Sequence, residues 1–176
     1  MTAFPEYPRP AAGEYAPFYA GYINGMPDGS LLPQLRSQAG ETAALLAGIP
    51  AAKHDFSYWP GKWTVKELVG HMGDAERVFS YRALRIGRGD TTPLPGFEEK
   101  EYARASGASA RTLSDLAAEL AAIRASTLAL LEHLPPEAAA RMGTASGNPV
   151  SVRALAWIIA GHERHHLRIL RERYLS

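Results

Sequence analysis

The chain has 176 residues, enough for one domain around a single core, and its 46% hydrophobic and 21% charged residues are an ordinary globular balance. A net charge of +1 argues against a nucleic-acid surface or a polybasic membrane anchor, and Arg, Lys, Glu or Gly interrupts every apolar run before it could span a membrane. With no cysteine there is no disulfide, no cysteine nucleophile and no thiolate ligand, so any metal must be held by histidine and carboxylate.

The N-terminal MTAFPEYPRPAAGEY has no apolar stretch of the secretory kind, and a cytoplasmic location is expected. Residues 1–29, rich in Pro, Gly and Tyr, read as an irregular arm with a short helical turn at APFYAGYIN. Its aromatics Phe4, Tyr7, Tyr15, Phe18, Tyr19 and Tyr22 are expected to pack on a body formed by residues 30–176.

Four amphipathic segments follow. The first starts after Ser30, an N-cap residue, with Leu32, Leu35, Ala39, Thr42, Leu46 and Ile49 spaced three and four apart. The second starts at Thr64, where Thr64 and Glu67 form a capping-box pattern, and carries Val65, Leu68, Met72, Ala75, Phe79, Ala83 and Ile86. The third begins at Thr112, with Leu113, Leu116, Leu120, Ile123, Thr127, Leu130 and Leu134 as its stripe, and Pro135-Pro136 ends it. The fourth begins at Ser151 with Val152, Leu155 and Ile159, then His162, His166 and Ile169. No alternating run with hairpin signals is evident, and the pattern predicts an all-α four-helix bundle. The connection from about 89 to 110 is long for a bundle, which suits either a lid or binding element or a plain packed crossover.

On the fourth segment, His162 and His166 lie roughly 40° apart inside the apolar stripe, one turn from each other. Their Cβ atoms are then about 6 Å apart, close enough for both rings to reach one ion. His71 lies at the edge of the second stripe and is a candidate third ligand from a facing helix. The alternative is a set of core-edge histidines hydrogen-bonded to carbonyls or carboxylates. His165 sits on the flank, and His54 and His133 belong to no pattern.

The run GHERHH also satisfies H-E-x-x-H, the zinc-protease helix motif, with Glu163 in the place of the general base. Only LRILRERYLS follows it, with no further histidine and no sheet to bind a substrate backbone, so the protease reading fails. Glu163 borders the apolar face and is a candidate base for a metal site, or else a surface carboxylate paired with an arginine. Arg82 falls inside the second stripe, where it could bind an anionic substrate group, pair with Glu163, or pack its stem and reach solvent. Trp157 falls on the arginine-bearing face of the fourth helix, marking either a contact surface for a second subunit or a site covered by the arm.

WPGKWTVKELVGHMGDAERVFSYRALRI, a Pro/Gly connection and a closing GHERHH helix together resemble the DinB/YfiT-like superfamily, over about Ser30 to the C-terminus. Trp63, Thr64, Glu67 and His71 fill its W-S/T-x-x-E/D-x-x-x-H signature, and His162 and His166 its H-x-x-x-H. The resemblance implies a four-helix bundle holding one divalent metal near one end through His71, His162 and His166. Zinc or nickel is the usual ion, and manganese or iron also suits such a site. It further implies frequent homodimers and thiol-dependent transfer or isomerisation with bacillithiol, mycothiol or glutathione. The expected function is therefore a metal-dependent S-transferase or hydrolase acting on a small electrophilic molecule, with a low-molecular-weight thiol as cosubstrate and no nucleic-acid or membrane partner. The alternative is a non-catalytic metal-binding stress- or damage-response protein.

Overall fold

The computed structural model describes residues 5–176; Phe4 of the arm lies outside them. Four long helices form the bundle: α2 (Leu31–Ala47), α3 (Val65–Gly87), α5 (Leu113–Glu132) and α6 (Val152–Ile169). Their starts fall where the cap residues place them. Thr64 Oγ1 accepts from the Glu67 amide at 3.2 Å while the Glu67 carboxylate accepts from the Thr64 amide at 2.8 Å, closing the capping box. Thr112 and Ser151 accept from the amides three residues on, at 3.1 and 3.0 Å. Ser30 precedes α2 without a side-chain cap. α3 packs on α5 and α6, and α2 on the same two, so α2 and α3 stand diagonally across the bundle. No helix among the described residues is long and apolar enough to cross a membrane.

The core is divided. One apolar cluster contains Leu35, Phe79, Leu131 and Ile159, and the other contains Leu46, Met72, Leu120 and Leu167. Between them every bundle helix contributes buried polar residues: Gln38 and Thr42, His71 and Glu76, Arg124 and Thr127, and His162, Glu163 and His166.

A two-stranded antiparallel hairpin, absent from the sequence-based expectation, joins α5 to α6: β1 (Met142–Ala145) pairs with β2 (Asn148–Ser151). Ser146 and Gly147 turn between them at φ 52 and 74, the left-handed pair that a two-residue hairpin loop requires. Four-residue strands are too short to declare a period of two. The hairpin earns its place through packing: a Cβ on Gly143 would lie 2.5 Å from Ile86 of α3. The 89–110 connection is a packed crossover. Leu94 exchanges backbone hydrogen bonds with Thr144 and Ser146, α4 (Glu99–Ala105) lies on α3, and Ala103 and Ala108 are buried.

The arm is fastened to α6. The Trp157 indole, 1% exposed, donates to Tyr7 O at 2.9 Å and lies beneath the Arg9 guanidinium, so the arm covers this face. Arg153 pairs with Glu14, whose carboxyl is held down to about 2, first by the Arg153 hydrogen bond. Tyr7 and Ile23 are buried, Tyr15, Tyr19 and Tyr22 are half-buried, and Phe18 stays 65% exposed, against the expectation that it would pack. α1 (Ala20–Asn24) crosses α6 so closely that a Cβ on Gly161 would fall 2.2 Å from Tyr22 O, a backbone atom that cannot yield.

Gly161→Ala should therefore cost roughly 1–3 kcal/mol in urea unfolding and expose the arm to protease. Gly40→Ala, in an exposed turn of α2 where a Cβ meets nothing within 4 Å, should gain about 0.5–1 kcal/mol. Equal effects from the two substitutions would refute the close docking of α1 on α6.

Candidate metal centre

His162 and His166 occupy successive turns of the α6 face that meets α3, and His71 faces them from α3. Their Nε2 atoms converge: His71 to His162 is 3.1 Å, and His166 to His162 is 3.1 Å. One ligand nitrogen from each of the three lies within 4.8 Å of the others. The rings are 2%, 4% and 8% exposed for His71, His162 and His166. Three aromatics fix them: Trp63 lies over His71 with centroids 4.5 Å apart, and Tyr22 and Phe79 stand edge-on to His162 at 5.4 and 5.9 Å. Apolar core lies on both sides of the cluster, so it is central in the bundle rather than near one end.

Burial favours the neutral form of each ring. It lowers His71 from the usual 6.5 to about 4 and His166 to about 3, and drives His162 well down, with the neighbouring histidines adding to the effect on the last two. Neutral imidazole is the form that binds a metal. The spacing fits as well: two nitrogens bound tetrahedrally at ~2.0–2.1 Å from one ion lie about 3.3 Å apart. His162 Nε2 carries a single lone pair or a single proton and so cannot make a full hydrogen bond to both neighbours at once. His166 Nδ1 is buried with no hydrogen-bonding partner among the described residues. The donor set fits a divalent cation.

The other sequence candidates lie elsewhere. Glu163, 4% exposed, is outside the convergence of the three rings. One oxygen accepts from Thr42 of α2 at 2.6 Å and the other from Arg124 of α5, which also holds Glu76 through two bonds of 2.8 and 2.9 Å. Burial raises the Glu163 pKa, opposed by Arg124 and the Thr42 bond. Arg82 does not pair with Glu163 and does not reach solvent: it is 3% exposed and donates to Pro95 O and Ser146 Oγ at 2.8 and 3.0 Å. His165 packs against Tyr22 and His166 outside the cluster, His54 bonds Ile49 O, and His133 bonds Ala129 O.

Arg124 escaped the sequence reading, and Glu76 enters it only as a carboxylate flanking His71. Arg124 lies about 40° from Leu120, inside the α5 stripe, and that position was its signal. Glu76 carries the same signal, lying about 40° from Met72 and 20° from Ala83 in the α3 stripe. Tyr22 was legible only as an arm aromatic.

Residues 34–170 match the profile of the DinB superfamily, and the chain belongs to that family. YfiT from Bacillus subtilis, described as "a probable metal-dependent hydrolase with an unusual four-helix bundle topology", superposes with a TM-score of 0.67 at 17% identity, covering 93% of this chain and 89% of that one. A DinB-like protein of the same organism, YjoA, gives 0.57 at 22% identity over 80% and 86% of the two chains. At these identities the likeness establishes the fold. Comparison with curated proteins gives no match.

Two outcomes follow from the geometry. Arg124→Met strands two buried carboxylates and should cost about 3–5 kcal/mol in urea unfolding; a wild-type midpoint would show that the network supports nothing. Histidines with folded pKa values below the unfolded 6.5 bind fewer protons folded than unfolded. The metal-stripped protein should keep their contribution above about pH 6.5 and lose it as pH falls towards 4 and then 3. Each ring adds about 1.4 kcal/mol per pH unit to that slope. His71→Gln should flatten the slope between pH 6 and 4, and an unchanged slope would contradict the buried neutral ring.

Proposed function

We propose that the chain is a metal-dependent enzyme in which His71, His162 and His166 hold one divalent ion, zinc or nickel first, and that it transfers a small thiol to a small electrophilic molecule. The observation that carries this reading is the convergence of three buried neutral imidazoles with no carboxylate among them. Such an ion, when bound, keeps its full charge and open positions and can lower the pKa of a thiol or of water.

The chain's own residues supply the rest. Burial keeps the three lone pairs free of protons, and Trp63, Tyr22 and Phe79 hold the rings in place. With no cysteine in the chain, a sulfur nucleophile must come from a cosubstrate. Both Glu163 oxygens are committed to Thr42 and Arg124, so Glu163 is not a free base for hydrolysis, which favours thiol transfer. Hydrolysis is the second reading, favoured by the likeness to YfiT. A metal-binding protein without a substrate is the reading that remains if neither activity is found.

Metal content by mass spectrometry on untagged protein tests the centre: about one equivalent is expected in the wild type and almost none in His71→Ala or His166→Ala. No metal after incubation with zinc or nickel would sink the proposal. The loaded protein should then consume a chlorinated electrophile only when a thiol such as glutathione is added. Ester cleavage without thiol would favour the second reading. Glu163→Gln separates the roles: a loss of a hundredfold or more in kcat with metal retained would make Glu163 the base, whereas a loss of stability with kcat within a few-fold fits its place in the Arg124 network.

A further inference from the structure

Three Lys or Arg side chains are buried among the described residues, and two of them have a carboxylate partner. Lys66 meets Asp55 at 2.7 Å, and Arg124 meets Glu76 at 2.8 Å and Glu163 on its other side. Arg82, 3% exposed, has none. Its Nη2 bonds two neutral oxygens, Pro95 O and Ser146 Oγ, and its Cζ lies 6.0 and 5.9 Å from the Phe79 and Phe97 rings. Two neutral acceptors need a donor and not a charge. A clamp between the crossover and the hairpin therefore accounts for the hydrogen bonds but not for a guanidinium. The Tyr19 hydroxyl also faces the guanidinium and is likewise neutral; a buried cation faced only by neutral oxygens and ring faces is poorly compensated, and an anion would complete it.

There is room for one. Arg82 forms part of the wall of a cavity of about 280 Å³ between α3 and the crossover, lined also by Val78, Tyr81, Leu94, Phe97 and Tyr102. Arg77 reaches this cavity too, but it is engaged by Glu119 at 2.5 Å. The walls are otherwise aromatic and aliphatic, with Phe97 and Tyr102 in contact at 5.2 Å between centroids. The cavity is distinct from the histidine cluster: Phe79 stands between them, 6.0 Å from Arg82 Cζ and 5.9 Å from the His162 ring.

We propose that this cavity binds a small carboxylic acid with an aromatic or other apolar body, the carboxylate on Arg82 and the body between Phe97, Tyr102 and Leu94. The size of the cavity limits the ligand to a small molecule, and its single unpaired buried cation selects a monoanion. This site does not depend on the metal reading.

Isothermal titration of the full chain with phenylacetate, phenylacetamide and acetate tests it, on protein as purified and after chelator treatment. Phenylacetate should bind at least tenfold more tightly than the isosteric amide and than acetate, equally with and without metal. Arg82→Met should remove the preference for the acid, and Tyr102→Ala, at a half-exposed wall position, should weaken acid and amide together. Equal binding of acid and amide, or binding of neither, overturns the proposal from the wild type alone, whatever the fate of Arg82→Met. Acid binding that disappears with the metal also overturns it, because the carboxylate would then be a metal ligand.

Discussion

The feature on which the rest of the structure depends is the buried charge network at the centre of the bundle, where Arg124 holds Glu76 of α3 and Glu163 of α6 and donates to Leu35 O of α2. One side chain thereby ties all four helices at one level. Such networks are weak sources of net stability, because taking the charges from water offsets most of their attraction. Their effect here is on register. Sliding α6 by one turn, about 5.4 Å, would pull Glu163 from Arg124 and Thr42 and carry His162 away from His71 in the same movement. The apolar clusters above and below would tolerate such a shift better, since Leu, Ile and Ala fill space without demanding a particular partner. The residue next to His162 is thus the one that fixes where His162 stands.

The same layer divides the labour between the two neighbours on α6. Glu163 turns to α2 and α5, where Thr42 and Arg124 engage its two oxygens, while His162 and His166 turn to α3 and meet His71. Burial acts on both sets in the direction of neutrality, but only the carboxylate has a guanidinium opposing it. The result is a cluster of neutral nitrogen donors beside a compensated ionic network. An H-E-x-x-H string with this division of roles cannot act as a protease motif, in which the glutamate must face the metal.

The N-terminal arm and the hairpin complete the enclosure from outside the bundle. Gly161, immediately before His162, lets the α1 backbone approach α6 and lays Tyr22 against His162 and His165. The hairpin and the crossover are tied together through Leu94 and through Arg82, so the far end of α3 is capped by two segments distant in sequence. Arg82 belongs to that cap and stands apart from the histidine cluster behind Phe79.

The helix starts, the bundle and the three histidines were legible in the sequence because each rests on local chemistry. A capping threonine or serine bonds an amide three residues away, and an i,i+4 histidine pair shares a face wherever the helix is placed. His71 was legible at its edge of the stripe, and the family signature added weight to it. The sequence could not say which way Glu163 points, because a residue about 100° from the ligand direction can serve either neighbouring helix, and the choice was made by Arg124. The hairpin was hidden because four-residue strands carry no readable period, and the sequence left the covering of Trp157 by the arm as one of two readings because the arm has no pattern of its own. Nor could it say that Arg82 would be buried without a carboxylate, since a missing partner is a property of everything packed around a side chain. Local hydrogen bonding and periodicity settle where helices begin and which faces they bury. Only tertiary packing decides which buried charges find each other, and that is what separates the histidine cluster from the ionic scaffold in this protein.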